Sequence, residues 1–174
     1  MTKRIERAAI LMLITFSLLF TQAMPLWAEV PTVKTVSSPS QIMAPDFTLK
    51  GLTGKPWKLN DYRGKVVLLD FTTTWCPYCI KDIPNLKKIH SQYTPQGLEF
   101  VAIYLQESEK RVSSFATKHS IPYNILLDPD ARTSNLYGVR GVPTKIVVDR
   151  DGTIVCWMCE DSDLEKHLER LLKR

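Results

Sequence analysis

Four cysteines stand in two CxxC pairs, Cys76-Pro77-Tyr78-Cys79 and Cys156-Trp157-Met158-Cys159. Two thiols at that spacing can form a disulfide that cycles, form one that only staples, or supply half of a metal site. The first pair follows KVVLLDF (residues 65–71), a continuous β-branched and apolar run that reads as a strand buried on both faces. A helical stretch follows it, to about Tyr93. Cys76 therefore falls where a strand ends and a helix begins. The unpaired N–H groups and positive dipole end of a first helical turn stabilise a thiolate there. Cys79 lies one turn later, placed to resolve a mixed disulfide formed at Cys76, and Pro77 presets the first turn. A staple closing so short a loop removes little chain entropy. A zinc ribbon wants its second pair ~15–20 residues on, and Cys156 lies far beyond that. Redox chemistry is the favoured reading, with staple and metal half-site as alternatives.

The elements that must position this pair alternate along the chain. FTLKGLTGKPWKL reads as a hairpin around a Gly turn, ahead of the buried strand. The helix after Cys79 presents Leu86, Ile89 and Tyr93 on one face, with Pro84 expected to kink it. LEFVAIYL (98–105) is a second buried strand. SEKRVSSFATKH (108–119) is a helix capped by Ser108, with Val112, Phe115 and Ala116 inward. YNILLD is a short strand, and ARTSNLYG a short helix closed by Gly138. TKIVVDRDGTIVCWM is a strand pair around a tight DG turn. DLEKHLERLLKR is a terminal amphipathic helix with Leu164, Leu168 and Leu171 inward and Ser162 as its cap. Alternating β and α units predict an α/β fold with parallel strands and right-handed crossovers, extended to a mixed sheet by the hairpins.

The N-terminus reads differently. Lys3, Arg4 and Arg7 precede the apolar run AAILMLITFSLLF, and a small residue follows at Ala28. That is the pattern of a secretory signal over 1–28, with an uncleaved anchor as the alternative. Residues 29–43, rich in Ser, Thr, Pro and Val, read as a flexible linker, and the domain proper is expected over 44–174. The formal charge of +5 drops when Lys3, Arg4, Arg7 and Glu6 leave with the signal, since 20 basic residues of 23 and 17 acidic of 18 remain. So weak a balance, without a basic stripe, does not argue for nucleic acid, and no nucleic-acid partner is expected. His90, His119 and His167 have no ligand spacing and no metal role is expected of them.

The run KVVLLDFTTTWCPYC, the following IKDIP, then GLEFVAIYLQES, PYNILLD, YGVRGVPTKIVVDRDGTIV and the last helix resemble the TlpA/ResA-like thioredoxin-fold oxidoreductases in order and spacing, from about Ala44 to the end. The resemblance implies a thioredoxin fold, a central mixed sheet flanked by helices, with an N-terminal β-hairpin extension. It implies Cys76 as nucleophile and Cys79 as resolving thiol, with Trp75 packed beside them. It implies a cis Val142–Pro143 bond facing the disulfide, the Val142 backbone free to pair with an extended substrate. Trp75, Pro77, Tyr78, Val142 and Pro143 form the expected substrate-binding rim. Asp70 matches the buried acid of thioredoxin, positioned to take the Cys79 proton. Asp82 and Glu107 match acidic positions of ResA-like proteins, but are expected to be solvated. Family members are periplasmic or membrane-anchored, and many keep apocytochrome c or other exported thiols reduced. They need neither organic cofactor nor metal. The implied partners are thiol- or disulfide-bearing exported proteins and a membrane electron donor, with the chain a monomer.

Two departures stand out. Pro-Tyr replaces the commoner Pro-Pro between the cysteines, which leaves the direction of electron flow open. Cys156 and Cys159 have no counterpart. Alternating strand geometry points them to opposite faces, so a bond between them needs a turn or bulge. Two buried thiols, a local disulfide and an electron relay to the first pair all stay open. The reading is an exported thiol–disulfide oxidoreductase acting as a reductase, with a dithiol oxidase or a CxxC metal carrier as rivals.

Overall fold

The structure is a computed structural model and describes residues 42–173. The expected signal, 1–28, and the expected linker up to residue 41 lie outside the described residues. Ile42 and Met43 are described: the Ile42 carbonyl accepts from Ile154 N–H at 2.8 Å and Met43 bridges Thr153. The described chain thus starts as a strap along the last strand, two residues before the expected domain boundary.

The elements follow in the expected order: β1 (Thr48–Gly51), β2 (Pro56–Lys58), β3 (Val66–Thr72), α1 (Pro77–Tyr93), β4 (Leu98–Leu105), α2 (Glu109–His119), β5 (Asn124–Asp128), α3 (Arg132–Leu136), β6 (Thr144–Val148), β7 (Ile154–Trp157) and α4 (Asp161–Leu172). One sheet runs β2-β1-β5-β4-β3-β6-β7. Its middle, β5-β4-β3, is parallel, and antiparallel pairings add β6-β7 at one side and the β1-β2 hairpin at the other.

β3 is buried along its whole length because both faces of the sheet are covered. Period-two alternation sends Val66 and Leu68 to the face packed by Leu86, Ile89 and Tyr93 of α1 and Leu164, Leu168 and Leu171 of α4. Val67, Leu69 and Phe71 go to the opposite face, with Phe47, Trp57 and Tyr137. α1 continues through Pro84 as one helix.

Three local devices complete the frame. The β6–β7 turn brings Gly152 to φ +89, a left-handed conformation that strains any side chain, with the Arg63 guanidinium lying where a Cβ would stand. α4 starts at Asp161 with Glu160 at its N-cap position, not at the expected Ser162 cap. The helix is fixed from outside itself: Cys159 N–H bonds the Lys145 carbonyl at 2.9 Å and the Asp161 carboxylate reaches the Lys145 ammonium. Finally, β7 ends at Trp157 and Met158 takes the left-handed φ of 55°. That turns Cys159 back to Cys156, and the two form a disulfide with Cα atoms 5.7 Å apart. The reading of two unlinked thiols is thereby overturned, because the strand stops before its alternation can separate the pair.

Leu168 is fully buried at the centre of the α4 face. Leu168→Ala is expected to lower stability by about 3 kcal/mol through lost transfer and a residual cavity. Urea unfolding should show a lower midpoint with an unchanged slope; a midpoint shift equivalent to under about 1 kcal/mol would contradict the packing described.

Candidate active site

The parallel strands deliver their C-terminal ends, the start of α1 and the loop before β6 to one edge of the sheet. After β3 the chain crosses Thr73–Trp75 and enters α1 at Cys76, which occupies the N-cap. Its sulfur accepts the Cys79 N–H at 3.3 Å, as a capping side chain does. Pro77 takes the first helical position, where its missing N–H costs nothing. The Cys76 thiol also donates to the Val142 carbonyl at 3.6 Å. The Val142–Pro143 bond is cis, and the Thr144 hydroxyl closes the loop by donating to the Gly141 carbonyl at 2.7 Å. Both sulfurs are free thiols on largely buried residues. Trp75 and Tyr78 flank them at the surface, 62% and 75% exposed.

Two buried carboxylates hold these loops. Glu107, expected to be solvated, turns inward beyond the end of β4. It accepts the Thr74 N–H at 2.8 Å and the Thr74 hydroxyl, and pairs with Arg111 at 3.1 Å. The loop before Cys76 has no strand partner for that N–H, and burial without one would cost about 1–3 kcal/mol. Asp128 at the end of β5 does the same for α3, accepting from Thr133 N–H at 3.2 Å and Ser134 N–H at 2.8 Å. α3 leads directly into the Gly138–Pro143 loop.

A third acidic group lies beneath the thiols. Asp70 is fully buried on β3 and lines, with Cys79, Thr72, Thr73, Tyr104 and Tyr123, a cavity of about 10 Å³. That is near the lower limit for one water. Burial pushes the Asp70 carboxyl up to about 7; Lys145 pulls it down, while Asp82 and Asp161 add to the rise. The Cys79 thiol is pushed up to about 12, by burial first and then by its hydrogen bond with Cys76. Asp82 is turned inward too, against the expectation of a solvated acid. Its carboxylate meets Lys145, which is itself only 6% exposed, and Lys145 meets Asp161 at 2.7 Å. Burial alone would lower the Lys145 ammonium, but the bonds to Asp161 and Asp82 outweigh it and the net shift is upward.

Lys145 is the residue that the sequence reading missed. Its signal was present: a lysine inside TKIVV, a run in which every residue is buried. The register places it directly opposite Asp70. The structure thus brings together Asp70, Trp75, Cys76, Pro77, Tyr78, Cys79, Val142 and Pro143. Cys156 and Cys159 form their own disulfide at the end of β7, where the Cys159 N–H bonds the Lys145 carbonyl. Among the described residues no cluster of three or more His, Cys, Asp or Glu side chains could hold a metal ion. No helix among them is long and apolar enough to cross a membrane.

Because the Asp70 carboxyl ionises at higher pH when folded than unfolded, its burial leaves stability intact below the unfolded value near pH 4 and withdraws it as pH rises toward 7. Asp70→Asn should therefore be more stable than the parent at pH 8, the gap closing by pH 4. Urea midpoints at pH 4, 6 and 8 measure this, and a pH-independent difference would contradict it.

The chain matches the AhpC/TSA family over residues 41–156. It is 32% identical over 170 residues to the thiol-disulfide oxidoreductase ResA of Geobacillus thermodenitrificans, across 96% of this chain and 95% of that protein. Among solved structures it resembles the thioredoxin domain of a thiol-disulfide oxidoreductase from Bacteroides vulgatus (28% identity, TM-score 0.69, 76% of this chain and 96% of that one). It also resembles a thiol:disulfide interchange protein from Bacteroides sp. (27% identity, TM-score 0.69, 77% and 90%). With its seven-stranded mixed sheet and thioredoxin fold, this chain belongs to the AhpC/TSA family and, within it, to the ResA-like protein-disulfide oxidoreductases.

Proposed function

We propose that the protein reduces disulfides in exported proteins through Cys76 and Cys79. The observation that carries this is the sulfur of Cys76 at the N-terminus of α1, bonded to Cys79 N–H and 3.6 Å from the Val142 carbonyl beside the cis-proline. An extended substrate paired with the Val142 backbone would lay its disulfide across that sulfur, with Trp75, Pro77 and Tyr78 as the rim. The name ResA and the thiol–disulfide activity of the relatives support the same class.

The Cys76 thiolate attacks one substrate sulfur; the other leaves as a thiolate and takes up a proton. Cys79 gives its proton to the Asp70 carboxylate, directly or through one water in the shared cavity. The Cys79 thiolate then attacks the Cys76 sulfur, releasing the second substrate sulfur and closing the Cys76–Cys79 disulfide. Two electrons pass from the dithiol to the substrate. The cavity that Asp70 shares with Cys79 favours this route, and a carboxylate raised toward neutrality by burial is a stronger base than an ordinary one. Neither an organic cofactor nor a metal is required. Lys3, Arg4, Arg7 and the apolar run after them support export to an extracytoplasmic compartment. There a membrane-borne dithiol donor would return the disulfide to the dithiol. Exported proteins with oxidised cysteines, apocytochrome c among them, are the substrates this reading implies, and the chain acts as a monomer.

Cys76→Ser should abolish insulin reduction, and undiminished turnover would remove the nucleophile assignment. Cys79→Ala should retain substrates as mixed disulfides on Cys76, naming them in the native compartment. A strongly oxidising potential for the pair would reverse the proposed direction.

A further inference from the structure

Lys145 is not explained by the fold. A buried lysine in the middle of an apolar strand is held there only by its partners, and those partners surround Asp70. The ammonium bridges Asp82 of α1 and Asp161 of α4, two helices that otherwise approach the strand with apolar faces. Directly opposite it across the β3–β6 pairing is Asp70, at cross-strand distance, about 5 Å between Cβ atoms. The titratable groups facing this cluster are Asp70 and Cys79 from below, Asp82 from α1, Asp161 from the start of α4, and the phenols of Tyr104 and Tyr123. On the β7 side, the adjacent Cys159 is held in its disulfide. One cation thus faces three carboxylates: Asp82 and Asp161 pair with it directly, while Asp70 Oδ1 is buried without a hydrogen-bond partner.

We propose that Lys145 is a positioning residue of the dithiol centre: its ammonium compensates the charge of Asp82 and Asp161 and leaves Asp70 able to be an anion when Cys79 must lose its proton. This rests on the reading of Asp70 as the proton acceptor. Without the cation, two neighbouring negative charges would face Asp70 unopposed, so it would hold its own proton to higher pH. The base form would then be scarce at neutrality and Cys79 would be slow to attack the mixed disulfide. Chemistry at Cys76, which precedes any use of Asp70, would be untouched. Asp161 acts in the opposite sense. It lies at the exposed end of the cluster, with its side chain 56% exposed, and its negative charge favours the protonated form of Asp70.

The two steps separate in stopped-flow mixing of the reduced protein with dithiobis-nitrobenzoate. The first chromophore reports attack by Cys76 and the second reports resolution by Cys79. In the parent protein the rate of the second phase should rise with pH through a limb near neutrality, and Asp70→Asn should abolish that limb. In Lys145→Met the limb should move up by about one pH unit, slowing resolution at pH 7 up to about tenfold with the first phase unchanged. Lys145→Arg, which keeps the charge, should leave the limb close to its position in the parent protein. Asp161→Asn should move the limb down, and it decides the matter if Lys145→Met does not fold. A limb that stays in place in Lys145→Met, or in Asp161→Asn where that variant decides, while Asp70→Asn still abolishes it, overturns the role of Lys145 and leaves the Asp70 reading standing. A limb that survives in Asp70→Asn overturns both.

Discussion

A carboxyl group in the interior of a sheet is the constraint around which the centre is arranged. β3 is covered on both faces, and Asp70 is buried there beside the small cavity it shares with Cys79. Ionising it there is opposed by desolvation, the largest influence on its titration. A single cation offsets that opposition, and the offset is incomplete because Asp82 and Asp161 draw on the same ammonium. The balance leaves a group that titrates near neutrality, neither a permanently charged acid nor a permanently neutral one.

The sulfurs above it are positioned by groups that take no part in exchange. Loops at the C-terminal edge of a parallel sheet have backbone N–H groups with no strand to pair with, and burial demands another partner for each. Glu107 supplies one for Thr74, just before Cys76. Asp128 supplies two at the start of α3, which leads into the cis-proline loop. The Tyr137 hydroxyl, donating to the Pro45 carbonyl at 2.7 Å, ties the same segment to the start of the domain. The approach of the Cys76 sulfur to the Val142 carbonyl is therefore inherited from two independently anchored loops, the arrangement that holds reactive geometry without strain at the reacting atoms.

Element order, the buried strands, the inward helix faces and the first CxxC at a helix start were legible because each depends on local periodicity or on a cap. KVVLLDF has the apolar, β-branched run of a doubly buried strand, and Pro77 after Cys76 presets a first helical turn. Side chains whose fate depends on a distant segment were not legible. Glu107 sits just before α2 and Asp82 in the second turn of α1, positions where acids are ordinarily solvated. Their burial is decided by Thr74 and by Lys145, each of them more than 30 residues away in the chain. Lys145 itself interrupts an apolar strand. That anomaly pointed to a buried charge pair, but its partners became known only once the register set it opposite Asp70. The start of α4 went the same way: Ser162 was the better local cap, and a tertiary ion pair at Asp161 prevailed over it.

The second CxxC enters the same logic by geometry. A regular strand would have separated Cys156 from Cys159, yet β7 stops at Trp157 and the left-handed Met158 turns the chain so that the two join. The turn is anchored where Cys159 N–H meets the Lys145 carbonyl, and α4 begins two residues later with Asp161 against the Lys145 ammonium. Backbone and side chain of a single residue are thus gripped by consecutive pieces of the same turn. The disulfide narrows the conformations available to the turn that sets Asp161 against the Lys145 ammonium.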